Sequence, residues 1–195
     1  MKRKIHLKLL AGYLVFAALA IALLSTLTQN LTNQFLRENE AQQMYREATL
    51  IASDLKDAFR KDSKQLFDMQ KSLEVSAKYM SSEIWIIDAN GNLYFDSNTP
   101  SIFNLANQGK PIQMQSFNIQ DFGNSYYQTG TFYESFREDN LTVFATITDL
   151  FKVQGYVLIH KPMTNVLAQS TGIVDIAFLS VTIVLICAAI LLVVF

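Results

Sequence analysis

A few polar and aromatic side chains in the middle of this 195-residue chain could hold a small molecule. An arginine could clamp a carboxylate with two parallel hydrogen bonds, because its guanidinium presents its donors in a planar fork. Tyrosine rings could add flat, amphipathic walls. The alternative is that the rings form ordinary core and that the acid is a solvated turn residue. The candidate ligand-binding residues are Tyr94, Asp96, Tyr126, Tyr127 and Arg137.

The sequence shows no catalytic motif, and we assign no catalytic residue to it. Its two histidines are His6, in a basic N-terminal tail, and His160, in a predicted strand. Neither has the sequence context of a phosphoacceptor histidine, and no Gly-rich phosphate loop occurs. His160 has no neighbouring His or Cys in the sequence, so we predict neither a metal site nor a cofactor. The single cysteine, Cys187, lies in an apolar run, where we interpret it as a small apolar residue.

Charge divides the chain into four zones. Residues 1–8 carry four basic side chains and no acid, and residues 9–27 carry no charge. A helix of residues 9–27 would span roughly 28 Å, close to the apolar thickness of a membrane. Residues 28–172 have the mixed composition of a soluble domain, and they are not basic enough to indicate a nucleic-acid partner. Residues 173–195 are again apolar apart from Asp175.

These zones predict two transmembrane helices, residues 9–27 and 173–195, on either side of one extracytoplasmic domain. The basic tail favours a cytoplasmic N-terminus, which makes membrane lipid a partner and the cell membrane the location. A cleaved signal peptide is the alternative for the first helix, but no convincing small-residue cleavage site follows it. Because no basic anchor follows the second helix, we expect that a cytoplasmic region is missing from this sequence.

A strand–turn–strand pattern at residues 83–97 predicts the β-hairpin on which the domain is organised. Residues 84–87 and 93–95 are short apolar runs that favour strands. Asn90 and Gly91 between them favour a tight turn, because both tolerate positive φ. A hairpin alone is unstable in water, so further strands and a covering helix must pack on it.

Two helices are predicted before this hairpin. Residues 30–60 contain no Pro or Gly and continue the first membrane segment, which would join the two mechanically. A second helix is predicted from an N-cap at Asp62 and Ser63 to about Met80. The apolar residues of the first helix recur at spacings of three and four, which indicates one buried stripe. This stripe consists of Tyr45, Ala48, Ala52, Leu55 and Phe59.

The remaining strands follow a long loop. Residues 98–124 are rich in amides and contain Gly and Pro, which is typical of either a binding loop or a disordered connector. Pro162 would begin a helix, residues 163–170, that leads to the second membrane segment. The expected fold class is α+β, with long N-terminal helices and a five-stranded antiparallel sheet. The three further strands are predicted at residues 125–136, 141–148 and 156–161.

This order of elements resembles the extracytoplasmic PAS-like (Cache, or PDC) sensor domain of bacterial two-component sensor histidine kinases. The resembling residues are 85–97, the opening hairpin, and 155–163, the last strand and the start of the exit helix. The resemblance implies that residues 28–172 form a sensor domain with a pocket between a sheet face and the long loop. The five candidate residues would line that pocket. The family's amino-acid-binding pattern of a Tyr, an Arg and a Trp–Tyr pair is not found, which leaves the ligand open.

By this resemblance, the chain would be the membrane-anchored input half of a sensor histidine kinase and would act as a homodimer. Pro162, Met163 and Gly172 would transmit the signal into the second membrane helix. The missing region would use ATP and Mg²⁺ to phosphorylate its own histidine and would pass the phosphate to a response regulator. The alternatives are the input module of a chemoreceptor or a cyclic-dinucleotide enzyme, and a non-signalling membrane-anchored envelope protein that binds partners.

Overall fold

The computed structural model describes residues 2–58, 63–98, 112–113, 117–168 and 170–194. The chain forms two compact units. The first consists of Met1–Leu36 and Leu167–Phe195, and the second of Arg37–Val166. The first unit is helical in its described residues, whereas the second contains the sheet.

One uninterrupted helix, α1 (Lys2–Ala58), includes both the first apolar segment and the predicted helix that follows it. The chain has no Pro, and no Gly beyond Gly12, in this stretch. The helix therefore meets no strong breaker, and the predicted continuity is confirmed. The predicted apolar stripe is buried at its described positions except Tyr45, which is 38% exposed. Phe59 and the predicted N-cap residue Asp62 lie outside the described residues.

Helix α2 (Ser63–Met80) agrees with the second predicted helix. It ends at Ser81, whose backbone is left-handed with φ 51°. The backbone N–H groups of Ser81 and Ser82 donate to the carbonyl oxygens of Lys78 and Ala77 at 3.2 and 3.0 Å. These two bonds form a Schellman cap, which turns the chain directly from α2 into the sheet.

Six strands form one antiparallel sheet in the order β3–β2–β1–β6–β5–β4. The α+β class and the five predicted strands are confirmed, and a two-residue strand, β3, is added within the predicted loop. β4 is shorter than the predicted strand at residues 125–136, because the chain leaves β5 after Gly130. The strands are β1 (Glu83–Asp88), β2 (Asn92–Asp96), β3 (Ile112–Gln113), β4 (Tyr127–Gly130), β5 (Asn140–Asp149) and β6 (Lys152–Pro162).

The turn between β1 and β2 differs in detail from the predicted one. Among its residues only Gly91 has positive φ, 84°, and its N–H donates to the carbonyl of Asp88 at 3.1 Å. The loop therefore has three residues, with the glycine in the left-handed position, and Asn90 does not use its tolerance of positive φ. The carboxylate of Asp88 accepts from the backbone N–H groups of Asn90 and Asn92, both at 2.8 Å. This makes Asp88 a turn-stabilising residue.

The sheet carries a separate core on each face. Side chains alternate along β1, so Ile84 and Ile86 join the core packed on the helices, and Trp85 and Ile87 join the other. The second core is rich in aromatic rings and is covered by residues 117–136. This covering segment includes a short 3-10 helix, Ile119–Phe122, within the region predicted as a loop. Pro100, Gly109 and Pro111 of that predicted loop lie outside the described residues.

The chain leaves the sheet through two helices, α3 (Met163–Leu167) and α4 (Ser170–Val194). Pro162 is the last residue of β6 and not the first of a helix. The predicted helix at residues 163–170 is described as far as Leu167, and α4 begins at Ser170. The Ser170 hydroxyl donates to the Leu167 carbonyl at 2.7 Å, and such local side-chain bonds compete with the regular helix pattern.

Two segments are long and apolar enough to cross a membrane by length and composition, Ala11–Lys56 and Met163–Leu191. Within the first unit, the Tyr13 hydroxyl donates to the carbonyl of Leu185 at 2.5 Å and so links α1 to α4. Satisfied polar groups of this kind are required in an apolar phase. Gly172 lies within α4, and outside its own helical turn no described atom lies within 4 Å of the position its Cβ would take.

Candidate ligand-binding site

A cavity of about 300 Å³ opens in the second unit, at the edge where α2 ends, β1 and β5 begin and β6 ends. Eight of its ten lining residues are polar or charged, and Arg137 and Glu138, two exposed residues of opposite charge, are neighbours in the chain. Such a mixture suits a small polar molecule, because convergent polar groups fix orientation in a concave site. The cavity is lined by Ser81, Ser82, Glu83, Asn98, Phe136, Arg137, Glu138, Asn140, His160 and Pro162.

Strand register brings these residues together from distant parts of the sequence. Glu83 of β1 lies opposite His160 of β6, and Asn140 of β5 lies opposite Pro162 at the end of β6. The cap of α2 places Ser82 immediately before β1. The site therefore depends on the central position of β6 between β1 and β5.

His160 is a fully buried polar residue of this site. Its Nδ1 lies 2.8 Å from the hydroxyl oxygen of Thr142 on β5. Three aromatic rings surround the imidazole, with ring centroids 4.6 Å (Trp85), 4.6 Å (Phe132) and 4.9 Å (Phe136) away. Burial lowers the pKa of His160 to about 3, because charging the ring would require desolvating the cation. The imidazole is therefore neutral at physiological pH.

Two buried polar atoms at this cavity have no hydrogen-bond partner among the described residues. They are Nε2 of His160 and the hydroxyl oxygen of Ser82. Buried polar groups in proteins are nearly always paired, and leaving one unpaired costs roughly 1–3 kcal/mol. Because both atoms are buried, a polar ligand could pair with them only in an arrangement of the cavity wall that exposes them. This pair of atoms is the strongest chemical indication that the cavity is a binding site.

Glu83 stands at the mouth of the cavity with both carboxyl oxygens engaged. Oε1 accepts from the indole N–H of Trp85 at 2.7 Å, and Oε2 accepts from the side-chain amide of Asn98 at 2.6 Å. Burial raises the pKa of Glu83 to about 7, against the hydrogen bond from Trp85, and the neighbouring charge of Asp96 raises it further. Its carboxyl group thus titrates in the physiological range.

A strained turn covers the aromatic side of the cavity. Phe132, Tyr133 and Glu134 all have left-handed backbones, with φ of 44°, 53° and 61°. This conformation costs a residue with a side chain roughly 1–2 kcal/mol. The N–H of Phe136 donates to the carbonyl of Thr131 at 3.1 Å and closes the turn. The turn places the rings of Phe132 and Phe136 against His160, and this packing offsets part of its strain.

Tyr133 anchors this turn to the 3-10 helix that precedes β4. Its hydroxyl donates to the carboxylate of Asp121 at 2.6 Å. The same oxygen lies 3.2 Å from the backbone nitrogen of Asn118, from which it accepts. Burial, followed by the bond to Asp121, raises the pKa of Tyr133, so the phenol stays protonated and keeps donating.

The structure separates most of the ligand-binding residues that the sequence predicts. Arg137 lines the cavity, and Asp96 lies beside Glu83. Tyr94 is the extra residue of a β-bulge in β2. It lies between Leu93 and Phe95, which pair with Ile87 and Ile86 of β1. It does not line this cavity.

The other two predicted tyrosines lie away from the cavity. Tyr127 packs against the core on the helix side of the sheet. The ring of Tyr126 lies 4.8 Å from the ring of Tyr45 on α1. Nothing in the sequence marks Ser82 or Glu83 as site residues, since both acquire that role from the cap of α2 and the pairing of β1 with β6. His160 falls in the segment that carries the family resemblance, but its burial is not visible there.

Among known proteins, the chain is similar only to solved structures. No family model matches the chain, and no curated protein matches it. The sensory domain of the Campylobacter jejuni chemoreceptor Tlp3, with isoleucine bound, is similar with a TM-score of 0.40 and 11% identity. The match covers 78% of this chain and 66% of that one. The sensor domain of the V. cholerae histidine kinase DctB is similar with a TM-score of 0.38 and 14% identity, over 85% of this chain and 56% of that one.

Both neighbours are sensor domains. The chain spans 66% and 56% of their lengths. Likeness at these TM-scores carries no argument about ligand or output. The function proposed for this chain therefore rests on the geometry of its own cavity.

Proposed function

We propose that this chain is a membrane-anchored input module that binds a small polar ligand outside the cytoplasm and passes the signal through its second apolar helix. One observation carries the proposal. His160 and Pro162, which line the cavity, are among the last residues of β6, immediately before α3. A ligand in the cavity would therefore contact the segment that leads to the apolar helix α4.

The ligand would act by favouring one of two arrangements of the cavity wall. A bound molecule shifts such an equilibrium only if it binds the two arrangements with different affinity. Here the difference would come from the unpaired atoms of His160 and Ser82, which a ligand can bond in one arrangement of the wall. Arg137 would hold an anionic group, and a second arrangement would relax the strained turn at residues 132–134, which leads to Phe136 in the cavity wall.

The output that we favour is a sensor histidine kinase in a two-component system, working as a homodimer. A cytoplasmic region would transfer phosphate from ATP to its own histidine and then to a response regulator. Pro162, Met163 and Gly172 would be the transmitting residues, with the division between α3 and α4 as an added joint. A chemoreceptor or a cyclic-dinucleotide enzyme would use the same input, and a non-signalling envelope protein would use the cavity for binding alone.

Ligand binding is tested by thermal unfolding of the purified chain in detergent, against a panel of small polar metabolites. A ligand at one hundred times its Kd should stabilise the chain by about 2.7 kcal/mol. Arg137→Ala should abolish or weaken this shift, whereas Arg46→Ala, an exposed arginine of α1, should leave it unchanged. Equal shifts in both variants would place the ligand elsewhere and contradict the assignment of the cavity.

Signalling is tested by joining the chain through α4 to the cytoplasmic half of a histidine kinase with a transcriptional reporter. The ligand found by thermal unfolding should change reporter output, and Arg137→Ala should remove that change. A ligand that binds but leaves output constant would favour the non-signalling envelope protein.

A further inference from the structure

We infer that Glu40 of α1 exchanges its cationic partner between Lys161 of β6 and Arg37 of α1, and that this exchange couples the cavity to α1. The inference rests on the proposed function, because it assigns a second route by which the same cavity would signal. The first route is α4, which follows β6 in the chain. The second is α1, the helix that contains the first apolar segment.

An ion pair joins α1 to the last part of β6. The ammonium nitrogen of Lys161 lies 2.5 Å from Oε1 of Glu40, and the two side chains are 15% and 25% exposed. Salt and solvent screen such a partly buried pair less than a pair on the surface. The contact connects residues that are 121 positions apart in the sequence, so it fixes the tertiary arrangement of α1 and β6 at this point.

Lys161 stands between two residues of the cavity wall but faces the other side of the sheet. His160 and Pro162 line the cavity, and successive side chains of a strand point to opposite faces. Lys161 lies opposite Leu141 of β5, whose side chain belongs to the core packed on the helices. A rearrangement of the wall that exposes the buried Nε2 of His160 to a ligand would therefore also displace the ammonium group that holds Glu40.

Arg37 offers Glu40 a second partner on α1 itself. It precedes Glu40 by three residues, and side chains at this spacing are neighbours on one face of a helix. Nε of Arg37 is buried and has no hydrogen-bond partner among the described residues. An unpaired buried donor has a cost in free energy, which a charge-assisted bond to a carboxylate would recover. Arg37 is therefore placed to bind Glu40 when Lys161 withdraws.

These contacts define two arrangements in which two cations share one carboxylate. In the first, which the structure shows, Glu40 binds Lys161 and ties α1 to β6. In the second, Glu40 binds Arg37, and Lys161 extends its flexible stem towards solvent. Glu40 has a partner in both arrangements, which avoids the cost of leaving a partly buried carboxylate unpaired. A ligand that favours one arrangement of the cavity wall would thus also choose the partner of Glu40.

Double-mutant cycles in urea unfolding of the full chain in detergent test the exchange without any ligand. Glu40→Gln and Lys161→Gln should be non-additive by a factor of roughly three to ten in the folding equilibrium constant, because both remove the same pair. Glu40→Gln and Arg37→Gln should be additive in the wild-type chain. In the Lys161→Gln background these two changes should become non-additive by a comparable factor, since Glu40 then binds Arg37.

Two results would overturn the inference. One is additivity of Glu40→Gln with Lys161→Gln, and the other is a coupling of Arg37 to Glu40 that is the same with and without Lys161. As matched controls, the exposed Lys152 of β6 and the exposed Arg46 of α1, each changed to Gln, should be additive with Glu40→Gln. Circular dichroism shows whether each variant is folded. Lys161→Met, which keeps the apolar stem, takes the place of Lys161→Gln if the latter unfolds.

The reporter fusion separates this inference from the proposed function. Without any added metabolite, Lys161→Gln should shift reporter output several-fold, whereas Lys161→Arg, which keeps the charge, and Lys152→Gln should leave it at the wild-type level. Unchanged output in Lys161→Gln would overturn the route through α1 and leave the proposed function intact. If no member of the metabolite panel shifts thermal unfolding of the wild-type chain, the proposed function fails, and the double-mutant cycles still decide the exchange.

Discussion

Acid should destabilise this protein through His160, and Glu83 should partly conceal the effect. Because burial lowers the pKa of His160 from 6.5 to about 3, the unfolded chain binds a proton there that the folded chain does not. The contribution of neutral His160 to the free energy of unfolding is complete above pH 6.5. It falls by about 1.4 kcal/mol per pH unit as the pH decreases from 6.5 towards 3. At pH 5 the loss is about 2 kcal/mol.

Glu83 contributes with the opposite sign. Its pKa is raised from 4.5 to about 7, so the folded chain holds a proton that the unfolded chain has lost between these values. Its contribution to stability therefore increases as the pH falls from 7 to 4.5. Because Glu83 is only half-buried, solvent screening reduces its contribution to stability. The wild-type chain should consequently lose less than 2 kcal/mol at pH 5.

The assay is urea unfolding of the purified chain in detergent, followed by Trp85 fluorescence at pH 7.5 and pH 5. Glu83→Gln should show the full loss of about 2 kcal/mol at pH 5, because the compensating group is gone. His160→Gln, which keeps a polar partner for Thr142, should lose no stability in acid. A Glu83→Gln variant that is equally stable at both pH values would refute the account of His160 as a buried neutral imidazole.

Three further outcomes are expected. Gly155→Ala should lower the free energy of unfolding by roughly 2–4 kcal/mol, because the added Cβ would lie 2.3 Å from a backbone oxygen of β1. In the same urea unfolding assay, the control Gln154→Ala on the same strand should change the free energy of unfolding little. Gly91→Val should lower the free energy of unfolding by roughly 1 kcal/mol or more, because a β-branched residue resists a backbone φ of 84°. An unchanged midpoint in urea unfolding would contradict this turn geometry. In whole cells, an impermeant thiol reagent should label a cysteine at Asn124 and not one at Lys4; the reverse pattern would reject the predicted topology.

Local sequence patterns account for most of the elements. The absence of breakers predicts the long α1, and the second predicted helix ends at about Met80, as α2 does. Alternation along residues 141–148 predicts β5 almost to its bounds. These features follow from interactions between near neighbours in the chain, which the sequence displays directly.

The turn at residues 131–136 shows where local reasoning fails. Tyrosine and phenylalanine favour strands, and the sequence accordingly predicts a strand through Phe132 and Tyr133. The structure instead places both in left-handed conformations. Packing of Phe132 on Trp85 and His160, together with the bond from Tyr133 to Asp121, outweighs the local preference. None of these partners is adjacent in sequence.

The sequence by itself determined the two apolar segments, the hairpin and the α+β class, because length, charge and periodicity are properties of contiguous residues. Only the tertiary structure decided the site. The register of β1 against β6 sets Glu83 opposite His160, and burial then shifts the pKa of each away from its ordinary value. Both effects depend on which strands meet and on how much water they exclude. A one-residue change of register would turn these side chains to the other face of the sheet and remove the site.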